Sequence, residues 1–178
     1  PHPRKPHMML WVQVDPNDDW LVLHEQEVQD DPLAVRLACD DYEHSHHLTV
    51  AQRLMDPNMG ASPASSQRGI TWQDEFSTAG LVCDLADDSD VGRARLNDRL
   101  KVDRHTKRPR IRYNDTCYWT GHQMKRYVWA DSNKQKPKPE HDDYPTLLKY
   151  LANSDPVFST LKAGSRPLRL CDALPGPR

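Results

Sequence analysis

Glycine, phenylalanine and paired cysteine are scarce in this sequence: its 178 residues hold seven Gly, two Phe and four Cys. With so few glycines there is no phosphate-cradling Gly-rich loop, no Rossmann glycine pattern and no Gly-x-Ser-x-Gly nucleophile elbow. Cys39, Cys83, Cys117 and Cys171 are separated by 44, 34 and 54 positions with no Cys-x-x-Cys, so a zinc ribbon or knuckle has no ligand pairs to use. Reduced, buried thiols are the expectation for a chain this long. No stretch approaches the roughly 18 apolar residues that cross a bilayer. The best run, Met8 to Val14, is interrupted by Gln13. A protein in solution or at a membrane surface is expected.

Apolar residues make up 37% of the chain, below the roughly 45–50% of an average globular protein. The core must be small for the length. Proline, by contrast, is plentiful at fifteen residues, and it stiffens connections instead of tightening them. A single domain follows from the length, since domains usually hold about 100–200 residues.

Charge is distributed unevenly. Residues 1 to 92 hold 5 Lys/Arg and 17 Asp/Glu, whereas residues 93 to 138 hold 14 and 4, although the whole chain nets only −2. Either the two regions fold together and cancel, or each faces a partner of opposite potential.

The order of segments predicts an α+β fold. Its core is an N-terminal β-hairpin, one long amphipathic helix and a second, basic β-hairpin region, with extended Pro-rich arms at both ends. Residues 1–7, with three Pro, form an extended arm; residues 8–164 form the domain, acidic over 8–92 and basic over 93–138, with short helices in 143–164; residues 165–178 form a second extended tail. Met8 to Val14 and Trp20 to His24 pair across the turn-forming Asp15-Pro16-Asn17-Asp18-Asp19. Asp31-Pro32 caps a helix whose apolar positions Val35, Cys39, Tyr42, His46, Val50 and Leu54 recur at intervals of three and four. Asp56 to Gly69 is a loop. Ile70 to Trp72 and Ala79 to Leu85 read as strands, and Ser89 to Leu100 as a helix with Val91, Ala94 and Leu100 turned inward. Cys117 to Trp119 and Arg126 to Trp129 read as strands around a Thr120-Gly121 turn, after a strand at Arg110 to Tyr113. Tyr144-Pro145 and Asp155-Pro156 each open a helix, the second ending at Gly164.

Two clusters could carry function. Arg93, Arg95, Arg99, Lys101, Arg104, Lys107, Arg108, Arg110 and Arg112 lie within twenty residues, and Tyr118, Trp119, Lys125 and Arg126 follow. Cations neutralise phosphates and aromatic rings stack on unpaired bases, so residues 93–129 suit RNA. They equally suit acidic lipid headgroups or an acidic protein face. Asp40, Glu43, His44 and His47 form the other cluster. On a helix they share one stripe, which could present two carboxylates and two imidazoles to a divalent metal; no cofactor is otherwise expected. Four ligands from one helix seldom close around a metal, and a water-facing polar stripe is the competing interpretation.

No motif names a reaction. The leading expectation is a non-catalytic accessory subunit of a large organellar assembly, whose arms find their contacts on neighbouring protein subunits. A start at Pro1, no membrane span and the bipolar charge fit a processed protein of the mitochondrial matrix or the matrix face of the inner membrane, peripheral to a respiratory-chain complex or ATP synthase. The cytoplasm is the remaining compartment. A mitochondrial ribosome-associated protein touching RNA through residues 93–129 is the first alternative, weakened by an overall pI near 6.5. A metal-dependent enzyme built on the 40–47 cluster is the second.

Overall fold

The computed structural model describes residues 5–29, 31–64, 69–128, 138, 140 and 142–160. The fold is α+β, as the order of segments predicted. Strand β1 (His7–Val14) runs antiparallel to β2 (Trp20–Val28) with Val14 opposite Trp20, and a bulge at Trp11/Val12 shifts the register toward the open end. The connecting turn is built by Asp15. Its carboxylate accepts the amides of Asn17 (2.8 Å) and Asp19 (3.0 Å), so the turn residues satisfy their own backbone.

The hairpin is the central layer because both of its faces are apolar. Leu10, Val12 and Val14 alternate with Met9 and Trp11, which is the two-residue period of a strand buried on two sides. One face, with Trp20 and Val22, packs on Leu96, Ile111, Cys117, Leu148 and Ala152. The other, with Trp11, packs on Val35, Cys39, Met55, Phe76 and Leu81.

On the second face lies α1 (Pro32–Ser45), capped by the Asp31 side chain at the Ala34 amide (3.0 Å). It is nine residues shorter than the apolar spacing predicts. His47 adopts φ 53, Leu48 N–H donates to Glu43 O and His47 N–H to His44 O, which together form a Schellman stop before Val50 and Leu54 can continue the helix. Leu54 belongs instead to the short strand β3 (Leu54–Met55). The stretch expected to be loop contains α2 (Pro57–Gly60), held by Asp56. Where Ile70 to Trp72 suggests a strand, α3 (Trp72–Thr78) forms, because Thr71 and Asp74 make a reciprocal capping box. Strand β4 (Asp84–Leu85) is parallel to β3 and occupies only the end of the expected Ala79 to Leu85 strand.

The first face is covered by α4 (Val91–Leu100), α5 (Tyr118–Arg126) and α6 (Asp143–Ser154), with β5 (Ile111–Tyr113) parallel to β2. Helix α4 turns Gly92 and Leu96 inward, while Val91, Ala94 and Leu100 are exposed. Gly92 explains the rotation. A Cβ there would lie 2.5 Å from the Lys149 backbone oxygen, so α4 approaches α6 where a side chain is missing. The second basic hairpin does not form: Cys117 to Trp119 leads into α5, and Trp129 lies outside the described residues. Asp155, expected to start a helix, takes φ 45 and ends α6, and residues 155–160 are not helical. The arms expected at 1–7 and 165–178 lie outside the described residues except for residues 5–7, of which His7 already belongs to β1. Lys5 pairs with Asp143 (3.7 Å), and the His7 ring stands edge-on to Phe76 (5.3 Å).

Candidate binding surface

Four of the nine cations at 93–112, Arg99, Arg108, Arg110 and Arg112, reach the acidic turn of the hairpin. Arg110 donates to Asp19 Oδ1 (3.2 Å) and to the carbonyls of Asn17 and Asp18, and Arg108 reaches Asp19 Oδ2 (3.4 Å). Arg112 pairs with Asp15 (3.8 Å). Arg99 lies 4.0 Å over the Trp20 ring and donates to Asp18 O (2.7 Å) and to Asp155 (3.1 Å). The amide of Asp19 and the nearby Arg112 hold the Asp15 carboxyl below its ordinary pKa. Asp15 and Asp19 of the acidic region therefore meet Arg108, Arg110 and Arg112 of the basic region at this turn. Arg93 pairs locally with Asp90 (2.8 Å) and Lys101 with Asp98 (2.6 Å), while Arg95 reaches across to the carbonyls of Ala152 and Asn153 at the end of α6. Arg104, Lys107 and Lys125 have no ion pair among the described residues.

Helix α5 is the part of the expected contact that remains turned to solvent. It forms because Glu25 of β2 accepts the Trp119 amide (2.6 Å), the Thr120 amide (2.7 Å) and the Thr120 hydroxyl (2.7 Å), satisfying the first turn with a carboxylate. Thr120, Gly121 and Gln123 face inward, and a Cβ on Gly121 would press on the Tyr113 ring at 3.0 Å. Burying that side leaves Tyr118, Trp119, His122, Lys125 and Arg126 on the opposite one, at spacings that share a helical face. Tyr118 is 62% and Trp119 47% exposed. Their rings meet edge-on at 5.1 Å, and both touch His122, at 5.5 and 5.6 Å. Arg126 approaches His122 Nδ1 (2.9 Å). No carboxylate lies within α5 itself. Tyrosine, tryptophan and arginine are the residue types enriched at binding hot spots.

The 40–47 cluster is taken apart by its own neighbours. Asp40 binds Arg36 (2.7 Å), Glu43 binds Arg53 (2.6 Å) and the Trp11 indole (3.3 Å), His44 Nδ1 bonds the Asp40 carbonyl (2.8 Å), and His47 has left the helix. Among the described residues no group of three or more His, Cys, Asp or Glu is arranged to hold a metal.

Sequence reasoning missed Glu25, whose role depends on a residue 94 positions away, and an aromatic stack between layers. His24 lies flat on Tyr42 (4.1 Å, 14°), and His46 covers Tyr42 from α1's end (4.2 Å). Burial lowers the His24 pKa from 6.5, a bond to Gln26 opposes this, and the His46 charge adds to the lowering. Burial pushes the Cys39 thiol up to about 11. A cavity of about 210 Å³ beside Gln52, Asp84 and Tyr150 is smaller than the roughly 300–1,000 Å³ of small-molecule sites. No helix among the described residues is long and apolar enough to cross a membrane. No protein-family model, curated protein or solved structure matches this chain.

Proposed function

We propose that this chain is a non-catalytic accessory subunit that fastens to a larger protein assembly through the exposed face of α5. The observation that supports it most is the Tyr118, Trp119 and His122 cluster, an apolar surface flanked by Lys125 and Arg126 on a helix fixed from behind by Glu25. A rigid helix loses little entropy when it docks, which favours binding through such a face. The setting we propose is a mitochondrial matrix complex, peripheral to the respiratory chain or ATP synthase.

RNA has less support than protein. Arg99, Arg108, Arg110 and Arg112 are engaged by carboxylates, and a phosphate backbone would have to break those pairs to use them. Incorporation distinguishes the two. In extracts of the native source, the wild-type chain should sediment with a large particle that survives ribonuclease, and a Tyr118→Ala/Trp119→Ala chain should remain near its monomer size. A variant that still enters the particle would overturn the proposal, and a particle dispersed by ribonuclease would replace protein with RNA.

A further inference from the structure

Helix α5 has its chemical complement on the same molecule. Along the outer face of α1 run Leu33, Leu37 and Asp41, four residues apart, with Leu33 55% and Leu37 60% exposed. Two leucines at that spacing form an apolar ridge that nothing covers among the described residues. Asp41, beside Asp40, makes the end of the ridge acidic.

The two helices carry the same order of chemistry along the chain. On α1 the apolar part, Leu33 and Leu37, precedes the acidic part at Asp41; on α5 the aromatic part, Tyr118 and Trp119, precedes the cationic part at Lys125 and Arg126. Both stripes cover nine residues, from Leu33 to Asp41 and from Tyr118 to Arg126, a rise of about 12 Å at 1.5 Å per step. Laid parallel, they bring leucine against ring and carboxylate against cation with no offset. An antiparallel arrangement would set Asp41 against Trp119.

We infer that α5 of one copy docks on α1 of a second copy, head to tail. The inference rests on the α5 reading above and names the partner of that face. Charge complementarity decides the occupant: α5 contains two cations and no carboxylate, while Asp41 is the exposed carboxylate at the end of the α1 ridge, Asp40 being paired with Arg36 and Glu43 with Arg53. Because the two surfaces differ, the contact is heterologous and leaves an open α1 at one end and an open α5 at the other. A single helix face of this length falls below the roughly 1,200 Å² of a stable complex, so the association is transient and concentration-dependent.

The test uses the purified full-length chain in sedimentation velocity. Wild-type protein should show mass growing with concentration, and raising salt from about 0.1 M to about 1 M, which shortens the screening length from about 10 Å to about 3 Å, should weaken association about tenfold. Leu37→Glu spoils only α1, and Trp119→Ala only α5; both positions are exposed, so both variants should fold with unchanged circular dichroism. Each alone should be monomeric. An equimolar mixture should form a dimer and nothing larger, because the intact α5 of the first meets the intact α1 of the second. A monomeric mixture, a wild-type chain that stays monomeric, or a Leu37→Glu chain that associates as well as wild type would each overturn the inference. Binding of a single-stranded oligonucleotide that Trp119→Ala abolishes and Leu37→Glu does not would also overturn it, assigning α5 to nucleic acid. Incorporation into the native particle is measured separately, so a failure here leaves the assembly proposal to stand or fall on its own result.

Discussion

Replacing Gly92 by Ala sets two effects of opposite sign against each other. Inside an isolated helix the change should stabilise by about 1 kcal/mol, since Ala is the better helix former. In this fold the added Cβ would lie 2.5 Å from the Lys149 backbone oxygen and 2.7 Å from the Asn153 side chain. A backbone carbonyl inside α6 cannot swing away as a flexible side chain can, so the helices must separate, loosening Leu96 against Leu148 and Ala152. Overpacking of this kind costs about 1–3 kcal/mol, and the rigid obstacle places it at the upper end. The net expectation is a loss of about 1–2 kcal/mol, or a Tm lower by about 2–8 °C for a chain of this size. Urea unfolding checks it, with the midpoint falling at constant slope. An unchanged or raised midpoint would refute the packing of α4 on α6 described above.

Other consequences follow from the same contacts. Glu25→Ala removes the carboxylate that accepts three donors at the start of α5 and should cost about 1–3 kcal/mol, seen as faster amide exchange at Trp119 and Thr120 before global unfolding. Leu148→Ala, at a side chain 2% exposed, should cost about 2–5 kcal/mol in thermal or urea unfolding, whereas Leu37→Ala should stay within about 0.5 kcal/mol. Acid should weaken the interface between β2 and α1. The His24 pKa is lowered on folding, so the unfolded chain binds the proton more readily; the resulting stability is present above 6.5 and lost as the pH falls below it. His24→Gln should flatten that part of the stability-pH curve, and an unchanged slope would contradict the stack as its origin.

Local chemistry in the sequence located the hairpin, the Asp31-Pro32 helix start and α6, because each is announced by residues adjacent in the chain. It failed where distant contacts outweigh local preference. Tyr118, Trp119 and Tyr127 have strand propensity, yet the Glu25 carboxylate and the tight Gly121–Tyr113 approach make the segment helical. The spacing through Val50 and Leu54 continued the pattern of α1 past its end, since His47 in the left-handed region signals nothing that a sequence pattern detects. Of the basic candidates, residues 93–112 were correctly seen as charged but most of them pair with the chain itself; the mutual position of Asp15, Asp19 and Arg110 is a product of the hairpin beside β5. Tyr118, Trp119, Lys125 and Arg126 are exposed, but on a helix instead of the expected hairpin.

Hydroxyl-radical footprinting of the native assembly against the dilute isolated chain tests the docking role of α5 most directly. Tyr118 and Trp119 should be labelled freely in the isolated chain and several-fold less in the assembly, while the buried Trp20 stays unlabelled in both as an internal control. Equal labelling of Tyr118 and Trp119 in the two states would contradict the account.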